Sequence, residues 1–251
     1  MLWQMLEALA LGGTLGALGG LLGIGGGILA IPVLVMLYGM NQALAQGTAL
    51  VMMTPNVLVG FWRYRQRNPF PLRTAAMIGL TSVISTYPAA RLAVSMDAAL
   101  LKQCFAVFLV LLAAYFLLDG KLRQSQATEP WPERLLPIVG VVGGLFAGLF
   151  SVGAGIVAAP LLVKGFGKKQ AVAQGLALAL VVPGALVALS TYARAGHIDW
   201  QLGLPMAAGG ICTVSWGVAW AHRLPETRLK QLFALMLAVT AMLMFRQHGQ
   251  G

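Results

Sequence analysis

The strongest constraint on this chain is a succession of long apolar runs separated by short charged clusters. Reading between the clusters gives eight hydrophobic segments, at about 5–38, 41–62, 72–94, 98–118, 134–163, 169–193, 199–221 and 228–246. A helix needs about 20 apolar residues to cross a bilayer. The first and fifth segments, at roughly 30 residues, are too long for one straight span, and both carry glycine clusters in the middle. Composition agrees: 59% of the 251 residues are hydrophobic and only 10% are charged. A soluble globule of this size cannot hide that much apolar surface. The apolar content also excludes disorder and collagen, and two cysteines are too few for a disulfide scaffold. The fold class is an all-α polytopic membrane protein with the lipid bilayer as its solvent.

The opening Met1-Leu2-Trp3-Gln4 has neither a basic n-region nor a small-residue cleavage site, so no signal peptide is read there. Cys104 and Cys212 sit in apolar segments without partner spacing and read as small buried hydrophobes. The one sizeable polar stretch, Asp119 to Glu133, divides the chain almost in half. It predicts a first transmembrane repeat at 1–120, a linker at 121–133 and a second repeat at 134–251.

Displacing the chain by 128 residues aligns the halves without a gap. Gly16, Gly20, Gly25, Gly27, Pro32 and Gly39 fall on Gly144, Gly148, Gly153, Gly155, Pro160 and Gly167. The run Gln42-Ala-Leu-Ala-Gln46-Gly47 falls on Gln170-Ala-Val-Ala-Gln174-Gly175, Pro55 on Pro183 and Tyr64 on Tyr192. Between 16 and 64 there are 22 identities in 49 positions. Compositional bias does not put Gly, Pro and Gln in one register, so the chain reads as a duplication.

The basic residues then speak to topology. If all eight segments cross, the 17 Lys and Arg divide 9 to 8 between the two faces, which is no bias. If segments one and five turn back at Gly23–Gly27 and Ser151–Gly155, the division is 13 to 4. The positive-inside rule prefers the second arrangement. It makes the halves inverted, each crossing three times, with both termini outside; inverted repeats with broken helices are a recurrent transporter plan. The formal net charge of +10 is thus a topological signal rather than a sign of nucleic acid. Phe61-Trp-Arg-Tyr-Arg-Gln-Arg67 reads as an aromatic belt with a basic anchor.

Gly12, Gly16, Gly20 and their counterparts Gly140, Gly144 and Gly148 predict close helix packing. Gly25, Gly26 and Gly27 predict unwound backbone, tolerated at membrane depth only where it is buried in protein or lines a cavity. A new helix from about Ile28 through Pro32 would offer free N–H groups and a positive dipole end. Gly153, Ala154 and Gly155 repeat the arrangement, with Ser151 at the break. Two such ends facing one another suit a small anionic substrate; the alternative is packing alone. Gln46, Thr48, Asn56 and Gln174 are candidates to complete the site. Thr48 equally suits a bond to its own helix, the glutamines a capping role, and Asn56 a carbonyl freed by Pro55.

No Asp, Glu or Lys falls at the centre of a span, so the coupling ion is not legible. His197, His222 and His248 are scattered, so no metal site is read. No phosphate-binding loop, dinucleotide fingerprint or catalytic constellation is present, so neither an enzyme nor a cofactor is expected. A homo-oligomer is compatible with the sequence.

The stretch Gly16 to Gly27, Ile31-Pro32 and Gln46-Gly47-Thr48-Ala49, with its second copy at 144–177, resembles the TauE/SafE sulfite-exporter family, also called the four-toluene sulfonate uptake permease family. Gly196-His-Ile-Asp-Trp200 is similar to that family's Gly-x-Ile-Asp-Trp stretch. The resemblance covers essentially the whole chain. It implies a multi-pass transporter of the bacterial inner membrane for small sulfur-containing anions such as sulfite, thiosulfate or organosulfonates. The chain departs from the pattern at Pro69-Phe-Pro-Leu72, where the second half has His197-Ile-Asp-Trp200, and at Tyr87-Pro88 in segment three. The expected function is a secondary transporter or facilitator working by alternating access. A passive anion channel and a membrane subunit serving another protein are the alternatives.

Overall fold

The computed structural model describes residues 2–22, 25–122, 130–152 and 155–221, with Leu235. Every regular element among them is helical. In chain order these are α1 (Leu2–Leu22), α2 (Gly27–Tyr38), α3 (Gln42–Arg67), α4 (Leu72–Ser95), α5 (Ala98–Leu122), a 3₁₀ turn (Glu133–Leu135), α6 (Leu136–Phe150), α7 (Gly155–Lys164), α8 (Gln170–Arg194) and α9 (Trp200–Ala221). The apolar runs become the helices and the charged clusters their ends. Segment 228–246 lies outside the described residues, apart from Leu235.

Short polar side chains start several helices by accepting the N–H groups that an α-helix leaves free in its first turn. Asn41 Oδ1 accepts from Leu44 N–H at 2.9 Å and opens α3. Asp97 Oδ1 accepts from Ala99 N–H at 2.9 Å at the start of α5, and Asp199 Oδ1 accepts from Leu202 N–H at 3.0 Å at the start of α9. Gly39, at φ 61°, ends α2 in the left-handed turn that only glycine adopts freely, and Gly167, also at φ 61°, turns the chain in the loop after α7.

Both long segments are interrupted. The first is divided between α1 and α2, and the second between α6 and α7, at the glycine clusters. With 12 and 10 residues, α2 and α7 extend only about 15–18 Å, half a hydrocarbon core. Among the described residues, five helical stretches are long and apolar enough to cross one: Gln42–Arg67, Ala98–Tyr115, Glu133–Phe150, Ala171–Arg194 and Trp200–Trp220. The family of apolar helices and their exposed hydrophobic side chains, Leu80, Ile84, Leu111, Trp216 and Trp220 among them, make this a polytopic membrane protein.

Glycine determines which helices touch. A Cβ on Gly12, Gly16 or Gly20 of α1 would run into Met206, Gly210 or Val214 of α9. One on Gly140, Gly144 or Gly148 of α6 would run into Ile78, Ser82 or Thr86 of α4. The numbers rise together, so α1 runs parallel to α9 and α6 parallel to α4. Backbones this close allow hydroxyls to bridge them. Thr213 Oγ1 donates to the Gly13 carbonyl at 2.6 Å, and Thr86 Oγ1 to the Gly144 carbonyl at 3.1 Å. At the centre, α3 and α8 cross in opposite directions, with Gln46 meeting Tyr192 and Gly60 facing Leu178.

The cysteines differ from their sequence reading. Cys212 is exposed on the outer face of α9 and Cys104 is half-buried, and both are free thiols. A small apolar side chain suits a lipid-facing position as well as a core, so its chemistry could not distinguish the two.

Gly16 and Gly13 separate packing from propensity. A Cβ at Gly16 would stand 2.5 Å from Gly210 Cα, whereas one at Gly13 meets Thr213 Cγ2 at 3.5 Å, an ordinary contact. Gly16→Ala is expected to destabilise by about 1–3 kcal/mol through overpacking. Gly13→Ala is expected to be neutral or stabilising by up to about 1 kcal/mol through helix propensity. Thermal melts of the two variants in detergent check the contrast.

Candidate functional site

The two breaks meet. Gly25 and Gly26 hold φ of 74° and 85°, so the chain turns through two left-handed residues before α2 begins. Gly26 starts α2 without a side-chain acceptor, so no side-chain cap takes up the N–H groups that a helix leaves free in its first turn. Gly27 is buried, and a Cβ there would come within 3.0 Å of the Ser151 carbonyl. Ser151 closes α6 in the left-handed region at φ 52°, the sole non-glycine residue with positive φ among the described residues. A side chain in that conformation costs about 1–2 kcal/mol. Phe150 beside it stacks on Phe108 at 4.9 Å and packs on Phe105 at 5.7 Å, covering the second break with aromatic rings.

Tyr192 of α8 reaches this point. It is fully buried and its hydroxyl donates to Gln46 Oε1 on α3, beside the Ser151 side chain. Ser151 and Gln46 thus flank one tyrosine, and Gly27 approaches Ser151 from α2. Gln46 is itself fully buried and its Nε2 has no hydrogen-bond partner. One turn earlier Gln42, 2% exposed, has neither amide atom partnered. Unpaired polar atoms in an apolar interior cost free energy, so these amides are conspicuous.

The remaining predicted residues are placed differently. Thr48 Oγ1 accepts from Asp199 N–H at 3.0 Å, so Thr48 secures the start of α9 rather than its own helix. Asn56, 1% exposed, lies against Gly210, and both its amide atoms are unpartnered, so it does not bridge to a carbonyl freed by Pro55. With Gly25, Gly60 and Tyr64 it lines a separate cavity of about 10 Å³, room for one water at most. Gln174 is half-buried on α8 and Gly155 begins α7 in a buried position. Gly153 and Ala154 lie outside the described residues. No cluster of metal-ligating side chains occurs among the described residues.

Sequence reasoning passed over Tyr192, Tyr64 and Gln42. The signal was present, since Tyr64 and Tyr192 align in the repeat and Gln42 falls one helical turn before Gln46. An aromatic residue in an apolar helix gives no warning that its hydroxyl, rather than its ring, is what matters.

The model of the Sulfite exporter TauE/SafE family matches residues 8–244. The chain belongs to the TauE/SafE sulfite-exporter family. Among similar proteins, a probable membrane transporter protein of Methanocaldococcus jannaschii is 27% identical, over 80% of this chain and 78% of that one. One of Xylella fastidiosa (strain 9a5c) is 24% identical, over 94% and 93%. The probable membrane transporter protein YdhB of Bacillus subtilis is 23% identical, over 85% and 89%. No solved structure matches. This member of the TauE/SafE family is therefore a multi-pass membrane protein of transporter type and not an enzyme.

Thr48→Val keeps the shape of the side chain and removes the acceptor for Asp199 N–H. It is expected to cost about 1–2 kcal/mol, read as a lower melting temperature than that of wild type in the same detergent.

Proposed function

We propose that the protein is a secondary transporter of small sulfur-containing anions, such as sulfite, thiosulfate or organosulfonates, acting in a bacterial inner membrane. Two inverted halves rock against one another around the paired breaks. The observation that carries this reading is the meeting of Gly27 with the Ser151 carbonyl, where two interrupted helices converge between the long central helices. Helix N-termini attract anions through free N–H groups and the helix dipole. Unwound backbone at membrane depth belongs where it is enclosed by protein or lines a cavity. The family's description, a sulfite exporter, supports the substrate class.

Inversion has its own support. The α1–α9 contacts, displaced by 128 residues with partners exchanged, are the α6–α4 contacts: Gly12, Gly16 and Gly20 on Met206, Gly210 and Val214 against Gly140, Gly144 and Gly148 on Ile78, Ser82 and Thr86. The central helices α3 and α8, which carry the matching Gln-Ala runs, cross in opposite directions. Both relations suit a pseudo-two-fold axis in the membrane plane. Each half then contributes one re-entrant hairpin. The 13-to-4 distribution of basic residues follows from that topology.

Thermal stability in the presence of sulfite, thiosulfate, sulfate, sulfoacetate and simple carboxylates tests the substrate class. A ligand at a hundred times its Kd stabilises by about 2.7 kcal/mol, so a sulfur oxyanion should raise the melting temperature. Gly27→Ala should remove that shift, because its methyl would occupy the space between Met53 Sδ and the Ser151 carbonyl. Gly26 is a poorer probe, since its φ of 85° makes any side chain there a folding defect. Saturable flux in proteoliposomes is expected of a carrier; flux that rises linearly with anion concentration would instead identify a channel.

Topology is tested separately. In a variant lacking Cys104 and Cys212, Tyr38→Cys and Lys169→Cys should react with an impermeant thiol reagent from opposite sides of the membrane. Labelling from the same side would exclude inverted halves.

A further inference from the structure

Gln46 is held in a particular sense. Tyr192 occupies the acceptor end of its side-chain amide, Oε1, and so turns the donor end, Nε2, toward the interior with no partner. An amide free to flip could offer either a carbonyl oxygen to a cation or an N–H to an anion. With its oxygen engaged, the buried group that remains is a donor. Gln42 stands four residues earlier on α3, hence on the same face, and its amide is buried with no partner at either end. The tyrosine comes from α8 and the glutamines from α3, so the pair joins the two central helices.

We propose that Gln46 and Gln42 are successive donors to a small oxyanion, and that Tyr192 is a positioning residue that fixes the direction of Gln46. The inference rests on the anion-transport reading above and adds to it the residues that recognise the charge. Neutral donors suit a carrier. In a dry site each N–H is worth more than in water, while the lack of a fixed positive charge lets the anion leave again. Gln42, in the first turn of α3, gives the anion its contact before or after the central one. Gln46 acts where the breaks meet.

Full-length protein in nanodiscs, titrated with thiosulfate and with sulfite, tests this. Gln46→Glu preserves the acceptor for Tyr192 but replaces the donor with a carboxylate. It should bind thiosulfate at least tenfold more weakly at pH 8. Gln46→Met, apolar and similar in volume, should bind no better, and it serves if the buried carboxylate prevents folding. Tyr192→Phe should weaken binding about tenfold in wild type. It should add nothing in a Gln46→Met background, because a residue acting through another is not additive with its loss. Gln42→Met should raise KM for flux more than it lowers kcat. Wild-type affinity in both Gln46 variants, or a Tyr192→Phe effect that persists undiminished in Gln46→Met, overturns this inference alone. Failure of the wild type to bind either anion overturns the transport reading and this inference with it.

Discussion

The bilayer core has no water to satisfy a backbone N–H or C=O, and that constraint organises everything else in this protein. Two of its apolar segments are interrupted, between α1 and α2 and between α6 and α7, and in the proposed topology these cuts lie within the membrane. An open cut would expose several peptide groups to hydrocarbon at several kcal/mol each. The rest of the fold encloses the cuts. Five of the eight residues from Gly27 to Leu34, namely Ile28, Leu29, Ala30, Ile31 and Leu34, are buried hydrophobic side chains, so the short helix α2 is enclosed, with α3 alongside it and the second break against its start. The aromatic group of Phe105, Phe108, Phe146 and Phe150 does the same work for α6.

Enclosure requires helices to approach closely, and small residues permit it. The interface between α1 and α9 places Gly16 directly on Gly210, and that between α6 and α4 places Gly144 on Ser82. These two sites are counterparts under the 128-residue displacement, but their volumes are distributed differently. Asn56 of α3 fills the space that Gly210 leaves, whereas Gly184, the counterpart of Asn56, makes room for Ser82 and Thr86. One half sets a large polar side chain against a glycine, and the other a glycine against hydroxyls. The polar chemistry of the two sites differs accordingly. In the proposed inverted pair, this is how two similar halves acquire different surfaces toward the substrate.

The cuts, the glycine ladders and most helix ends were legible from residue order. Three consecutive glycines cannot continue a helix cheaply, and spacing every four residues identifies a packed face. Asp97 and Asp199 are the caps of α5 and α9, a role that residue order did not assign them. What could not be read was which polar side chains meet. Gln46 and Thr48 are two residues apart on one helix, about 200° around its axis. A list of polar residues therefore groups side chains that point nearly opposite ways. Thr48 turns to the loop before α9, and Gln46 to α8. The partner that decides the matter, Tyr192, comes from 146 residues away, and no local pattern carries that distance.

The same bond bears on motion. The contact between Tyr192 and Gln46 crosses from α8 to α3, and the contact between Gly27 and Ser151 crosses from α2 to the end of α6. In the proposed rocking of two halves, both cross-contacts lie at the pivot, where displacement is smallest. The glycine-packed pairs α1–α9 and α6–α4 also join the halves, backbone against backbone, so the proposed rocking has to repack both interfaces.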